Sequence, residues 1–217
     1  MLLNARVEGF LGRRQTVADF ASRLASDAHT PAGGGTSAVV AALAAALAQK
    51  VCSITAGKER YGEVQEEIEV LSGLLEVKRN ELLALMEEDA KACAPLFEVF
   101  ALPKTDPTRE EKMQPVLLAA CEPQRKTMKT MAELIDILGR LDGIGSKLSQ
   151  TDVATAAALA RGALEGAALN IYVNTSLLAD REKAKELFDE AEEMLKVYGD
   201  RSVKLCTKIS DRLKGAE

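Results

Sequence analysis

Three consecutive glycines form the first feature of this sequence that could bind a ligand. Gly33, Gly34 and Gly35 follow Pro31 and precede a long apolar stretch that begins at Thr36. A glycine loop that leads into a helix presents backbone N–H groups beside the positive end of the helix dipole, where a carboxylate or a phosphate can bind. No Walker lysine follows and no strand pattern precedes it, so neither a P-loop nor a dinucleotide fingerprint is indicated. The alternative interpretation is a tight turn without a ligand.

Two aspartates are candidates for acid–base chemistry. Asp89 interrupts an otherwise amphipathic helical pattern, and Asp152 lies at the start of a predicted helix. A carboxyl group can transfer a proton or stabilise a cationic centre in a reacting molecule. Taken alone, Asp89 could equally be a solvated carboxylate, and Asp152 could be a helix cap or a first-turn acid.

Other polar side chains are candidates for substrate binding. Two lysines and a tyrosine occupy predicted turns, one of them a Gly-Lys-x-x-Tyr turn and the other a connector with two prolines. Two asparagines are four residues apart near the end of a predicted helix, and therefore share one of its faces. These residues are Lys58, Tyr61, Lys104, Asn170 and Asn174.

The single histidine and the cysteines support neither a metal site nor a reactive thiol. The four cysteines are widely separated and contain no CxxC pair, so a zinc site is not expected. His29 could be a general base, but we interpret it as a polar loop residue. Cys52 and Cys93 have no neighbouring histidine in the sequence to activate them, and we expect them to be core thiols of a cytoplasmic protein.

Helices must position all of these residues. Apolar spacing predicts an all-α bundle of about six helices in a single domain over residues 1–217. Two of the helices are rich in alanine and apolar around most of their circumference, which is typical of helices at the centre of a bundle. No strand pattern appears, and the β-branched residues 171–173 are assigned to a helix by context. The predicted helices span residues 16–27, 36–56, 68–100, 108–141, 153–178 and 181–213.

Composition limits the classes of partner. The net charge of −5 gives no general electrostatic reason to expect a nucleic acid or an anionic membrane. Residues 1–15 lack the apolar run of a secretory signal, and the apolar run 38–48 is shorter than the roughly 20 residues that span a bilayer. We therefore expect a cytoplasmic protein with no membrane-embedded segment.

The order of several short segments resembles one enzyme family. The segments are PAGGGTSAVVAALAAALAQKV, TAGKERY, EEDAKA, ALPK, SQTDVATAA and GALEGAALNIYVN. Together they resemble the family of formimidoyltetrahydrofolate cyclodeaminases and methenyltetrahydrofolate cyclohydrolases, and the resemblance covers residues 16 to about 213. It implies a helical bundle that forms a homodimer and acts on folate with no metal or cofactor other than the tetrahydrofolate substrate.

The resemblance also implies roles for the candidate residues. Asp89 and Asp152 would divide two tasks, general acid–base catalysis and electrostatic stabilisation of the cationic one-carbon centre, in an order that stays open. The lysines would bind the glutamate tail or the pterin carbonyl, and the asparagines the pterin edge. The substrate-binding set is then Gly33, Gly34, Gly35, Lys58, Tyr61, Lys104, Asn170 and Asn174.

Three functions remain in competition. Cyclohydrolysis of 5,10-methenyltetrahydrofolate to 10-formyltetrahydrofolate is preferred, because the sequence contains no formimidoyltransferase segment. The alternative is a formimidoyltetrahydrofolate cyclodeaminase, which releases ammonia. A non-catalytic folate-binding module is the third interpretation, motivated by departures from the family pattern at Ala32, Gln150 and Ala154. A purely structural helical scaffold would need neither folate nor the glycine loop.

Overall fold

The computed structural model of the protein describes residues 16–215, and within them six α-helices and no strand are found. The all-α prediction is therefore confirmed. The prediction about a secretory signal concerns residues 1–15, which lie outside the described residues. Short 3₁₀ turns, Glu59–Val64 and Lys147–Ser149, precede the third and the fifth helix. The α-helices are α1 (Val17–Leu24), α2 (Gly33–Thr55), α3 (Gln65–Phe100), α4 (Arg109–Ile144), α5 (Gln150–Ser176) and α6 (Arg181–Leu213).

The two alanine-rich helices, α2 and α5, form the centre of the bundle, as predicted. They run antiparallel, because the N-terminal residue Gly33 of α2 lies beside Asn170 near the end of α5. Small residues allow this close approach. A Cβ on Gly166 would lie 2.4 Å from the Ser37 hydroxyl oxygen, so only glycine fits at that position without a displacement. The buried alanines of the pair include Ala41, Ala44, Ala45, Ala156, Ala157 and Ala160.

The starts of α2 and α5 differ from their predicted positions. The predicted glycine loop is the first turn of α2, which begins at Gly33 with Ala32 as its N-cap and not at Thr36. Glycine has a low helix propensity, and propensity alone places these residues in a loop. Tertiary packing overrides it here, because neighbouring side chains occupy the space that Cβ atoms would need. Similarly, α5 begins at Gln150, three residues earlier than predicted.

Helices α3 and α4 are long, and α6 covers the open side of α5. Pro95 lies inside α3 without ending the helix, which continues to Phe100. In α6, the apolar positions at helical spacing face the bundle, and the charged ones face solvent. The last helix therefore covers the bundle with its apolar side. The largest fully buried side chains come mainly from α3 and α4 and include Leu75, Leu82, Leu85, Leu117, Met128, Leu134 and Leu138.

Helix α2 is longer than its apolar run suggests. Over its full 23 residues it is, among the described residues, the one helix long and apolar enough by composition to cross a membrane. The expectation that the apolar segment is too short to span a bilayer is wrong for the whole helix, because that expectation counted only the apolar run 38–48. Half of the apolar window is buried inside the bundle, where α2 packs against α3, α4 and α5.

Candidate active site

Asp89 is a carboxylate inside the apolar core. It lies on α3, two turns after Leu82 and one after Leu85, and this face of the helix packs into the bundle. Its exposed fraction is only 4%. Burial raises the pKa of this carboxyl above its usual range. A buried acid whose pKa is raised can give or take a proton nearer neutral pH, which makes Asp89 the strongest catalytic candidate.

Three neutral donors surround the Asp89 carboxyl. The Gln124 side-chain amide on α4 donates to Oδ1 over 2.6 Å. The Cys93 thiol lies 3.7 Å from the same oxygen, and the Gly35 backbone amide at the start of α2 also donates to the carboxyl. These hydrogen bonds lower its pKa and partly offset the effect of burial. None of the three partners carries a positive charge, so the carboxylate has no compensating cation among them.

The first turn of α2 is shaped around this carboxyl. A Cβ on Gly34 would lie 2.3 Å from the Gln124 amide nitrogen and 2.4 Å from Asp89 Oδ1. Real Cβ atoms do not approach that closely, so the glycine is required by the contact. The sequence predicts that the glycine N–H groups bind an anionic group. In this structure one of them, at Gly35, binds a carboxylate of the chain itself.

The two asparagines of α5 lie at the same end of the bundle. Asn170 Nδ2 donates to the Gly166 carbonyl over 2.8 Å and lies against Gly33. Asn174 is buried and forms a hydrogen bond with the Cys121 thiol of α4. Burial raises the pKa of that thiol to about 11, and the bond to Asn174 lowers it in part. The structure therefore brings Asn170 and Asn174 together with the glycine turn and Asp89.

Asp152 lies at the opposite end of α2 and α5. It occupies the first turn of α5, as predicted, and its carboxylate pairs with Lys50 Nζ over 3.2 Å. A helical rise of about 1.5 Å per residue separates Lys50 from Gly33 by about 25 Å. A single chain therefore does not bring Asp152 and Asp89 into one site.

Lys58 and Tyr61 share the end of the bundle where Asp152 lies. Lys58 precedes the 3₁₀ turn after α2, and the Tyr61 hydroxyl accepts a hydrogen bond of 3.1 Å from the backbone amide of Lys147, just before α5. Lys104 lies instead in the connector between α3 and α4, where it is exposed. Because α3 passes Asp89 on its way to Phe100, this connector lies beyond the glycine turn, about 16 Å further along the helix.

Sequence reasoning missed Gln124 and misjudged Cys93. Cys93 was expected to be only a core thiol, yet it contacts the Asp89 carboxyl, and burial together with that carboxyl raises its pKa to about 12. Gln124 had a detectable signal. It lies at helical spacing between the buried residues Cys121 and Met128, and a polar residue at a core position of α4 needs a buried partner.

His29 lies at the surface and belongs to no metal-binding cluster of described residues. His29 is exposed before the glycine turn and stacks on Phe97 of α3, with ring centroids 4.6 Å apart. Between residues 16 and 215, no group of three or more histidine, cysteine, aspartate or glutamate side chains is placed to hold a metal ion. The four cysteines are free thiols.

Comparison with known proteins gives a consistent result. The family model described as formiminotransferase-cyclodeaminase matches residues 16–193. The methenyltetrahydrofolate cyclohydrolase of Methylorubrum extorquens is 33% identical over 189 residues, which cover 85% of this chain and 91% of that protein. The mouse formimidoyltransferase-cyclodeaminase is 27% identical over 165 residues, covering 74% of this chain but only 30% of that longer protein.

A solved structure shares the fold. The crystal structure of formiminotetrahydrofolate cyclodeaminase from Thermotoga maritima aligns with a TM-score of 0.79 and 25% identity, covering 91% of this chain and 98% of that one. The helical bundle is thus the architecture of a folate-processing class of enzymes. The chain belongs to the formiminotransferase-cyclodeaminase family.

Proposed function

We propose that this protein hydrolyses 5,10-methenyltetrahydrofolate to 10-formyltetrahydrofolate. The similarity to the cyclohydrolase of Methylorubrum extorquens, which extends over 91% of that enzyme, supports this reaction. The observation that carries the proposal is the Asp89 carboxyl, buried at the glycine turn among neutral donors, with its pKa raised. The reaction needs one group that accepts a proton and then returns it, and such a carboxyl can do both.

The proposed reaction has two steps. Water adds to the cationic methenyl carbon while the Asp89 carboxylate takes one of its protons, which gives a neutral hydroxyl adduct. The bond from that carbon to N5 then breaks, N5 receives the proton from Asp89, and the adduct hydroxyl loses its proton to solvent as the formyl carbonyl forms. One proton is released overall, and Asp89 is ionised again for the next turnover. A carboxylate near the carbon also stabilises its positive charge before attack.

Asn170 and Asn174 are proposed to orient the substrate at the same end. Their position beside Gly33 and the α4 core supports contacts with the pterin edge, whose N–H and carbonyl groups match an amide. Exposed Lys104 lies beyond them and suits the carboxylates of the glutamate tail. No cofactor apart from the folate substrate is proposed.

A homodimer would explain why Asp152, Lys58 and Tyr61 lie far from Asp89 within one chain. Leu43, in the middle of α2, is 53% exposed, and Leu169 and Val173 on the neighbouring helix α5 are also exposed apolar side chains. We propose that a second copy covers this face. A two-fold axis near Leu43 would turn α2 end over end, which places the Lys58, Tyr61 and Asp152 end of one copy beside the glycine turn of the other.

The oligomeric state provides the test of that proposal. Leu43→Lys should convert the dimer to a monomer in sedimentation velocity, since a charge would be buried in the apolar interface. Leu213→Lys is the matched control, because Leu213 is 55% exposed but lies at the end of α6, away from this face. A monomeric wild type, or a Leu43→Lys protein that remains dimeric, would contradict the proposal.

Cyclodeamination is the second candidate, and the similarity to the Thermotoga maritima structure favours it. In that reaction N10 attacks the formimino carbon, ammonia leaves, and the methenyl compound forms. The Asp89 carboxyl could protonate the departing nitrogen. The two reactions meet at the same methenyl intermediate, so one site geometry suits both.

The location is proposed to be the cytoplasm. All four cysteines are free thiols, and burial raises the pKa of Cys52 to about 11, so this thiol is protonated at neutral pH. Unpaired buried thiols fit a reducing compartment.

A spectrophotometric assay separates the candidates. With purified protein near pH 7, accelerated loss of the near-ultraviolet methenyl absorbance establishes the cyclohydrolase, and its appearance from formimidoyltetrahydrofolate establishes the cyclodeaminase. Asp89→Asn provides the matched inactive control. Folate binding without either change would support the non-catalytic module, and neither binding nor turnover would leave only the scaffold interpretation.

A further inference from the structure

Gln124 is the polar side chain most tightly coupled to Asp89. It is 1% exposed, and its amide nitrogen donates to Asp89 Oδ1 over 2.6 Å. Its amide oxygen is also buried, and no partner for it exists among the described residues. A buried acceptor without a donor costs free energy, so an amide kept in this position needs a reason.

We propose that Gln124 is a positioning residue that pairs with Asp89 in both protonation states by turning its side-chain amide. When Asp89 is ionised, the amide nitrogen donates to the carboxylate, as observed. When Asp89 is protonated, its O–H needs an acceptor, and a half-turn of the amide presents the unpaired oxygen to it. The two ends of an amide are nearly equal in shape, so the turn needs little extra space.

Asp89 keeps a hydrogen-bonding partner in both orientations. In each of them one end of the amide contacts Asp89 and the other end stays unpaired. Neither protonation state is therefore locked by this partner, in contrast to a lysine or an arginine, which would hold the carboxylate ionised. Because Gly34 has no side chain, the Gln124 amide has room beside it. A Cβ at Gly34 would lie 2.3 Å from the Gln124 amide nitrogen.

Among residues 16–215, the other groups around the pair are thiols and groups that do not titrate. Cys93 on α3 and Cys121 on α4 are thiols whose pKa values burial raises to about 12 and about 11. From α2, Gly34 and Gly35 face the pair, and from α5, Asn170 lies against the neighbouring Gly33; none of these residues titrates. Glu88 and Lys126 form an ion pair on the outer side of α3 and α4.

The direct test is carbon-13 NMR of the carboxyl and side-chain amide carbons in the substrate-free protein. The Asp89 resonance is assigned by its loss in Asp89→Asn. We expect the Gln124 amide carbon to shift with the same midpoint as the Asp89 carboxyl, because its hydrogen bond changes from donor to acceptor. A Gln124 resonance that is unaffected by the Asp89 titration would overturn the proposal.

Variants provide the second measurement. Gln124→Met keeps the volume but removes both hydrogen-bonding ends, and we expect the Asp89 midpoint to rise because the charge-assisted bond is the stronger one. Thr127→Val is the matched control. It removes a buried 2.9 Å hydrogen bond to the Pro123 carbonyl on the same helix, and should leave the Asp89 midpoint unchanged. An unchanged midpoint in Gln124→Met contradicts the proposal.

A second variant, Gln124→Glu, keeps the proposal testable if Gln124→Met does not fold. Gln124→Glu places two carboxyls that share a proton in this position, so the pair should titrate in two coupled steps, the upper one above the wild-type Asp89 midpoint. Independent titration of the two carboxyls would contradict the proposed contact.

The catalytic consequence rests on the proposed function. The midpoint of the methenyltetrahydrofolate pH–rate profile that reflects Asp89 should move upward in Gln124→Met, whether Asp89 acts as acid or as base, with turnover reduced about tenfold at the new optimum. The NMR titration needs no substrate. The absence of turnover would therefore contradict the proposed function, while the NMR titration would still decide the role of Gln124.

Discussion

Asp89 and Asp142 are equally buried, with 4% of each residue exposed, but their surroundings are opposite. Asp142, near the end of α4, accepts hydrogen bonds from Lys208 Nζ over 2.7 Å and from Arg212 over 2.8 Å. Burial alone would raise its pKa, but these two cations outweigh it and lower the pKa below the usual range. Asp89 has only neutral donors, and its pKa is raised.

The difference shows that burial alone does not distinguish a catalytic carboxyl from a structural one. Two cations from α6 hold Asp142 ionised, and the ion pair fastens α6 to α4. A group held in one protonation state cannot exchange protons near neutral pH. The Asp89 carboxyl is free of such a cation among its partners, which leaves its proton available for transfer.

Asp89→Asn gives the largest expected effect. It should reduce turnover of methenyltetrahydrofolate by about 10³-fold, since a positioned acid–base group contributes roughly 10²–10⁴. Its stability should be unchanged or higher, because a buried carboxyl without a cation is replaced by a neutral amide. Absorbance kinetics and thermal unfolding measure the two quantities. Turnover within threefold of wild type would end the assignment of Asp89.

Gly34→Ala ranks second. The new Cβ would overlap the Asp89 carboxyl and the Gln124 amide, so both must move, and we expect turnover to fall about 10²-fold. Gly33→Ala is the matched control. Its Cβ would lie 3.3 Å from the end of the Asn170 side chain, which can shift by a few tenths of an ångström. Equal turnover in the two variants would contradict the contact at Gly34.

Asp142→Asn should behave in the opposite way to Asp89→Asn. Removing the carboxylate leaves the Lys208 and Arg212 charges without this partner, and we expect a loss of about 2 kcal/mol in the free energy of unfolding. Turnover of the folded protein at low temperature should stay near wild type, because the ion pair lies away from Asp89. Chemical denaturation checks the first statement and the absorbance assay the second. A variant as stable as wild type would remove the structural role of Asp142.

The smallest expected effect is in the pH dependence of stability. As the pH rises, the contribution of Asp142 to the free energy of unfolding increases and that of Asp89 decreases. The folded pKa of Asp142 is lowered, so its contribution is present above its unfolded pKa of about 4 and is lost as pH falls through the folded value. The folded pKa of Asp89 is raised, so its contribution is present below about pH 4 and is lost as pH rises through the folded value.

Thermal unfolding measured at several pH values would show these two opposite trends. The difference between wild type and Asp142→Asn should shrink on acidification. Asp89→Asn should gain stability relative to wild type as the pH rises above about 4. Parallel curves for the two variants would contradict the contrast between the two carboxyls.

Much of the fold follows from local pattern. The order of the six helices and the buried alanine-rich pair were predicted from apolar spacing, which depends on residues a few positions apart. The glycine turn was misplaced by three residues, because its helical state depends on Asp89 and Gln124, which come from other helices. Local propensity does not contain that contact.

The candidate site divides in the same way. Sequence alone indicated the residue types that could do chemistry, and it identified Asp89, the glycines and both asparagines, which the fold brings together at one end of the bundle. Only the tertiary structure placed Asp152 and Tyr61 at the other end, added Gln124, and gave Asp89 and Asp142 opposite pKa shifts. The physical reason is that a pKa depends on burial and on the charges of spatial neighbours, and these neighbours come from helices far apart in the chain.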